Sequence, residues 1–216
     1  MAIEVQEQTP AARAMGVLEA IRTRRSVGKM RRERPPREAI EAILEAATWA
    51  PNHRMTEPWR FIVLAGEARQ ALGSVMAETQ AAGRSAANAD ATAIEEARAA
   101  TVKAATKPLR APVVIAVAVE PVVGPKIVEI EEIATGAAAV QNMLLAAHAL
   151  GLAAIWRTGG PSYDPAVKAF FGLTPAAHLL GFVYIGYPDG AVPERVRTPA
   201  ARFTQWLGWD DEETIG

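Results

Sequence analysis

The sequence contains no cysteine among its 216 residues. Disulfides, thiolate zinc sites, iron–sulfur clusters and cysteine nucleophiles are therefore excluded. Neither sign of charge dominates, since 23 Lys and Arg stand against 24 Asp and Glu, whereas general binders of nucleic acid or membrane surfaces are usually more basic. No apolar run approaches the roughly 20 residues of a membrane span, and the first residues lack the pattern of a secretory signal. We expect a cytoplasmic protein that binds neither nucleic acid nor membrane.

The common catalytic and nucleotide-binding signatures are also missing. The sequence has no G-x-G-x-x-G after a strand, no G-x-x-x-x-G-K-[ST] loop and no serine within G-x-S-x-G. The histidines, His53, His148 and His178, lie far apart and form no H-E-x-x-H pair. We expect no metal site and no catalytic side chain. Because few side chains could perform chemistry unaided, the sequence favours a bound cofactor.

Hydrophobic periodicity predicts one mixed domain over residues 1–216, because half of the residues are hydrophobic and suffice for a sizeable core. Predicted helices span about 9–22, 36–50, 67–76, 129–150 and 164–172, and predicted strands span 59–64, 113–119, 152–156 and 179–187. Helices outnumber strands without regular alternation, which indicates an α+β fold. We expect a helical cap insert at about 81–107 and a C-terminal arm at about 193–216.

Two apolar features predict self-association. The helix over 129–150 is apolar almost all round, and the C-terminal arm carries Phe203, Trp206 and Trp209. A helix without a polar face belongs in the centre of a domain or at a subunit interface. We expect an obligate homodimer in which the arm embraces the partner.

Three polar segments are candidates for a binding site. Arg24-Arg25-Ser26 directly follows the first helix, and two guanidinium groups with a hydroxyl suit an anion because Arg binds phosphate bidentately. A solvated basic loop is the alternative there. The proline-bounded loop from Ala50 to Trp59 and the strand end Trp156-Arg157-Thr158 are the other two. An ordinary helix–strand loop and an ordinary strand end are their alternatives.

The order of these segments resembles the nitroreductase family, most closely its small, single-domain NAD(P)H nitroreductases. The likeness extends over about 15–190 and is carried by Arg24-Arg25-Ser26, Ala50-Pro51-Asn52-His53 with Pro58-Trp59, Trp156-Arg157-Thr158 and Gly186-Tyr187-Pro188. The resemblance implies a nitroreductase-like α+β fold, with a central, mostly antiparallel sheet flanked by helices. It also implies a homodimer with FMN at the subunit interface. The implied reaction is two-electron reduction of nitroaromatics, quinones or similar small acceptors by NADH or NADPH.

The resemblance also implies roles for individual residues. Arg24, Arg25 and Ser26 match the segment that holds the FMN phosphate and ribityl side, and Trp156, Arg157 and Thr158 match the strand end beside the flavin. Trp49 and His53 fall where a loop of the partner subunit meets the cofactor. A weaker match implies nicotinamide-cofactor binding by Ala146, Ala147, His148, Ala149, Leu150 and Gly151. Glu57 replaces the Gln or Asn that the family often has before Pro-Trp, so its carboxylate either points away from the flavin or pairs with an Arg such as Arg54.

We therefore expect a ping-pong oxidoreductase in which the flavin carries the chemistry. A cation near the flavin pyrimidine ring would stabilise the reduced cofactor, and Arg157 or Arg25 is the candidate. Two alternatives remain open. One is another flavin reaction on the same scaffold, such as dehalogenation, enoyl-type reduction or flavin destruction. The other is a non-catalytic flavin-binding interaction protein.

Overall fold

Four strands and seven α-helices make up the computed structural model, which describes residues 15–82, 91–192 and 194–209. The helices are α1 Val17–Thr23, α2 Arg37–Thr48, α3 Glu67–Ala82, α4 Ala91–Thr106, α5 Glu129–Ala149, α6 Gly160–Tyr163 and α7 Pro165–Phe170. Short 3₁₀ turns lie at His53–Met55, Lys107–Arg110 and Ala200–Phe203. Within these ranges no helix is long and apolar enough to cross a membrane. The helix start predicted at Thr9 lies outside the described residues.

The strands β1 Trp59–Ala65, β2 Val113–Val119, β3 Ala153–Arg157 and β4 His178–Gly186 form one sheet in the order β1-β2-β4-β3. Every neighbouring pair is antiparallel. All seven residues of β2 are buried, as expected of a continuous apolar run that has a helix layer on each face. The predicted α+β fold with a mostly antiparallel sheet is confirmed.

Side chains alternate along the strands between two apolar layers. Val117 and Val183 face α2 and α5, whereas Ala116 and Phe182 face α3 and α7. Helix α5 lies so close to the sheet that a Cβ at Gly136 would clash with Val119 and Leu180. The side of α5 that faces the sheet, including Ala139, Val140 and Met143, is buried.

Helix α1 is largely exposed in the single chain. Leu18 is 65% exposed and Ile21 is 52% exposed, and Ala20 is the buried residue of this helix. Spacing at threes indicates one apolar face but cannot say which molecule covers it. Exposed apolar side chains therefore remain beside Arg24.

The predicted cap insert and C-terminal arm are both weakly buried where the structure describes them. Helix α4 packs along α3 and buries Ala104 in the core. The arm leaves Phe203, Trp206, Leu207 and Trp209 exposed, and the rings of Trp206 and Trp209 lie 5.2 Å apart.

Candidate functional site

The segment after α1 runs along the outer edge of the sheet. Helix α1 ends at Thr23, and the extended chain then forms a parallel bridge between Ser26 and Ala154 of β3. The Val27 amide donates to the Ala154 carbonyl at 3.2 Å. This pairing brings Arg24-Arg25-Ser26 beside β3, so two of the three predicted segments share one edge.

Arg24 lies in a concentration of positive charge. Its Nη1 is buried and has no hydrogen-bond partner among the described residues. Burial lowers the pKa of Arg24, and the charges of Arg197 and Arg25 lower that pKa further. A buried donor that lacks a partner beside like charges is an arrangement that an anion would complete. Arg197, in the C-terminal arm, was not predicted, because no spacing in the sequence connects the arm to α1.

Arg25 has a divided role. Its Nη1 donates to the carbonyls of Arg22 at 2.7 Å and Arg24 at 2.9 Å, which satisfies acceptors at the end of α1. Its Nε is buried and unpartnered within the described residues. One edge of the Arg25 guanidinium therefore caps the C-terminal end of α1, and the other edge remains available to a ligand. Ser26 is exposed beside it.

His148, near the end of α5, lines a cavity of about 230 Å³ together with Arg24 and Arg25. Its Nε2 lies 2.7 Å from the Thr23 hydroxyl. Burial lowers the pKa of His148, and Arg24 and Arg25 lower it further, while Glu19 acts in the opposite direction. A bound anion would reverse the electrostatic part of this shift.

The other residues predicted to bind a nicotinamide cofactor divide by burial. Ala147 is fully buried and Ala146 packs against the core, so these two serve the fold. Ala149, Leu150 and Gly151 are exposed. Gly151 also lines the cavity of His148, and its φ of 73° is the left-handed conformation that favours glycine after a helix.

A second cavity, of about 270 Å³, lies at the end of β3. It is lined by Met76, Lys107, Arg110, Ile155, Trp156, Arg157, Thr158, Pro161, Phe182 and Tyr184. The Arg157 guanidinium lies 5.5 Å from the centroid of the Tyr184 ring, and its Nε is buried with no partner in the described ranges. Burial raises the pKa of Tyr184, an effect that Arg157 and Arg110 partly offset. Sequence reasoning missed Lys107 and Arg110, although two basic residues just before a buried strand could have marked them.

Arg157 connects this cavity to the segment after α1. A Cβ at Gly28 would lie 3.0 Å from its Nη2, so the missing side chain leaves room for the guanidinium. Asp164 caps α7 by accepting a hydrogen bond from the Ala166 amide at 2.8 Å. Trp156, 36% exposed, donates from Nε1 to the Leu180 carbonyl at 3.0 Å.

The loop before β1 has an unusual backbone. Arg54, Met55 and Glu57 have φ values of 61°, 53° and 47°, a region that costs an L-residue about 1–2 kcal/mol. Such strain persists where surrounding contacts enforce it and is often found at functional sites. Asn52 enforces it by accepting from the Glu57 amide at 2.8 Å and donating to the Thr56 hydroxyl at 3.1 Å.

Trp49 and His53 project from this region toward solvent. Trp49 is 79% exposed and donates from Nε1 to Glu45 at 3.2 Å. His53 Nε2 lies 3.9 Å from a carboxylate oxygen of Glu131. Within one chain, neither residue lines the two cavities described above. In the part of the chain that is described, Glu57 forms no ion pair with Arg54.

Comparisons with known proteins identify the family of this chain. The model of the nitroreductase family matches residues 21–187. A curated Escherichia coli K12 protein named "Putative NAD(P)H nitroreductase YdjA" is 32% identical over 185 residues, which cover 86% of this chain and 95% of that protein. A nitroreductase-like crystal structure from Bacillus cereus superposes with a TM-score of 0.76 at 28% identity, over 93% of this chain and 99% of that one. A Bacteroides fragilis nitroreductase with bound FMN gives a TM-score of 0.66 at 27% identity, over 88% and 98% of the two chains. This chain therefore belongs to the nitroreductase family.

Proposed function

We propose that the protein is an FMN-dependent oxidoreductase that passes hydride from NADH or NADPH to nitroaromatics, quinones or similar small acceptors. The observation that carries the proposal is a row of buried arginine donors beside one edge of the sheet. These donors, on Arg24, Arg25 and Arg157, have no hydrogen-bond partner among the described residues. Family membership, the NAD(P)H nitroreductase name of the E. coli relative and the FMN of the B. fragilis structure support the choice of cofactor.

The residues present fit FMN by their chemistry. Arg24, the free edge of Arg25 and the charge of Arg197 suit a phosphate group. The exposed Ser26 hydroxyl follows them and would meet the ribityl chain. Arg157 and Lys107 line the cavity at the end of β3, where they would face the pyrimidine ring. Bound FMN supplies the capacity to accept and deliver two electrons as hydride.

The protein itself contributes by binding the flavin, orienting it and excluding competing ligands from its site. Arg157 places a positive charge where two-electron reduction adds negative charge to a flavin. In the proposed ping-pong order, the oxidised nicotinamide leaves before the acceptor enters the same space. Within the 146–151 segment, the weaker match proposed for the nicotinamide cofactor, His148 and Gly151 line the cavity of Arg24, so these two would also lie beside the FMN phosphate.

The active form is proposed to be a homodimer with FMN at the interface. Leu18 and Ile21 of α1 and the aromatic side chains of the arm are exposed in the single chain, which is costly unless a partner covers them. Trp49 and His53 would approach the flavin held by the partner subunit. This assignment explains why they lie apart from the two cavities of their own chain.

A reconstitution experiment tests the proposal. The purified protein is titrated with FMN, reduced anaerobically with NADH or NADPH while the flavin absorbance is recorded, and then mixed with a quinone or a nitroaromatic. We expect bleaching followed by recovery of the flavin bands. Failure to bind FMN overturns the proposal. Binding without bleaching indicates an interaction protein, and recovery only with a halogenated or enoyl acceptor indicates a different flavin reaction.

A further inference from the structure

One carboxylate on α5 is buried in a way that the reaction does not require. Glu132 is 2% exposed, whereas its neighbours on the same helical turn, Glu129 and Glu131, have side chains that are 63% and 48% exposed. Burying a charged group is unfavourable unless hydrogen bonds or an opposite charge compensate it. Within the described residues Glu132 forms no ion pair, so its hydrogen bonds must supply the compensation, helped by the positive end of α5.

Both oxygens of Glu132 accept hydrogen bonds from other parts of the chain. The Thr56 hydroxyl donates to Oε1 at 2.5 Å, and the Val122 amide donates to Oε2 at 3.2 Å. Thr56 and Val122 belong to the connection before β1 and the connection after β2, respectively. A single side chain therefore ties two loops to the start of the central helix.

The bond to Thr56 reaches directly into the strained turn. Thr56 lies between Met55 and Glu57, two of the residues with positive φ. Its hydroxyl also accepts from Asn52, whose carbonyl oxygen in turn accepts from the Glu57 amide. The hydrogen bonds from Asn52 to Thr56 and from Thr56 to Glu132 thus stabilise the turn internally and attach it to α5.

We propose that Glu132 is a positioning residue, which holds the turn Asn52–Glu57 in its strained form and so presents His53 and Arg54 to the flavin site of the partner subunit. The proposal rests on the proposed function for the identity of that site. The anchored turn forms part of the wall that an acceptor meets. The proposed phosphate site at Arg24 lies elsewhere in the chain and does not depend on this turn.

Two near-isosteric variants test the anchor. Thr56→Val removes the hydroxyl that joins Asn52 to Glu132, and Glu132→Gln removes the charge while keeping the shape. Thr101→Val is the matched control, because that half-buried hydroxyl donates within its own helix, to Ala97 at 3.0 Å. Each holoenzyme is assayed for FMN affinity, for kcat and KM with a quinone, and for trypsin cleavage after Arg54.

We expect the KM for the quinone to rise about tenfold in either variant, because small displacements of positioning groups are costly, while FMN affinity changes by less than about twofold. Cleavage after Arg54 should accelerate, whereas cleavage after Arg60, inside β1, should not. The KM of the double variant should rise by less than the product of the two single effects, since both substitutions perturb the Thr56–Glu132 hydrogen bond. The control should resemble the wild type in every assay.

Several outcomes overturn the proposal. A lower melting temperature with unchanged KM and unchanged cleavage after Arg54 would give Glu132 only a structural role. Equal acceleration of cleavage after Arg54 and Arg60 would mean general destabilisation, and additive effects in the double variant would separate the two residues. If Glu132→Gln fails to fold, Thr56→Val alone decides. If the wild type binds no flavin, the proposed function fails, and selective cleavage after Arg54 still decides whether Glu132 holds the turn.

Discussion

Replacing Arg24 with alanine should have opposite effects on the protein with and without cofactor. Arg24 has a buried Nη1 that lacks a partner in the described residues, and burial, followed by repulsion from Arg197 and Arg25, lowers its pKa. A hydrogen bond between charged groups contributes about 1.5–3 kcal/mol. Loss of that contact with the FMN phosphate should weaken binding about 10- to 150-fold.

The apo-protein should behave differently. Arg24→Ala removes a partly desolvated cation from beside like charges and breaks no side-chain hydrogen bond that the structure shows. We expect the melting temperature without FMN to stay the same or to rise slightly, because repulsion and desolvation are both relieved. The stabilisation that FMN gives should shrink in the same variant, because ligand-induced stabilisation follows affinity.

FMN fluorescence quenching measures the affinity, and thermal unfolding with and without FMN measures both stabilities. Arg22→Ala is the matched control, since Arg22 is an exposed residue of α1 and carries the same charge. An equal loss of FMN affinity in both variants would mean that the effect comes from the change in net charge and not from a specific contact of Arg24. Unchanged affinity in Arg24→Ala would refute the phosphate assignment, and a marked loss of apo stability would show that Arg24 is structural.

Three further predictions follow from the same site. Arg157→Gln should lower the flavin midpoint potential by about 20–45 mV, equivalent to about 1–2 kcal/mol for two electrons; a well-folded variant with an unchanged midpoint in spectroelectrochemical titration would exclude this role. Light scattering should show a homodimer at micromolar concentration, and a flavin-bound monomer would contradict the proposed interface. Because the pKa of His148 is lowered below its ordinary value of 6.5, apo stability should fall as pH drops below that value. His148→Gln should flatten this dependence in pH-dependent unfolding, and an unaltered slope would assign it to other groups.

The local sequence pattern was enough to predict the helices and strands of this fold, but not which elements pack against one another. The run Val113–Val119 could be recognised as a doubly buried strand because every residue is apolar. The apolar residues Leu18 and Ile21 of α1 are exposed in the single chain, and periodicity carries no information about what covers them. The strand order β1-β2-β4-β3 depends on contacts between distant segments, which a single sequence does not display.

The candidate site shows the same division. Arg24, Arg25 and Arg157 could be chosen from sequence because their residue types suit an anion and because family motifs recur in order. Their surroundings could not be chosen in this way. Lys107 reaches the cavity of Arg157 from a segment read as a peripheral insert, and Thr56 bonds to Glu132 across 76 positions. Such long-range pairs leave no periodic trace.

The central position of β2 provides an internal reference for amide hydrogen exchange. β2 is paired on both sides and its residues are fully buried, so its amides should exchange only when the whole domain opens. The Val27 amide, bonded at the sheet edge, should exchange through smaller, local openings. The ratio of the two rates therefore separates local tightening by a ligand from global stabilisation. A ligand gripped by Arg24 should slow exchange at Val27 by a larger factor than exchange in β2.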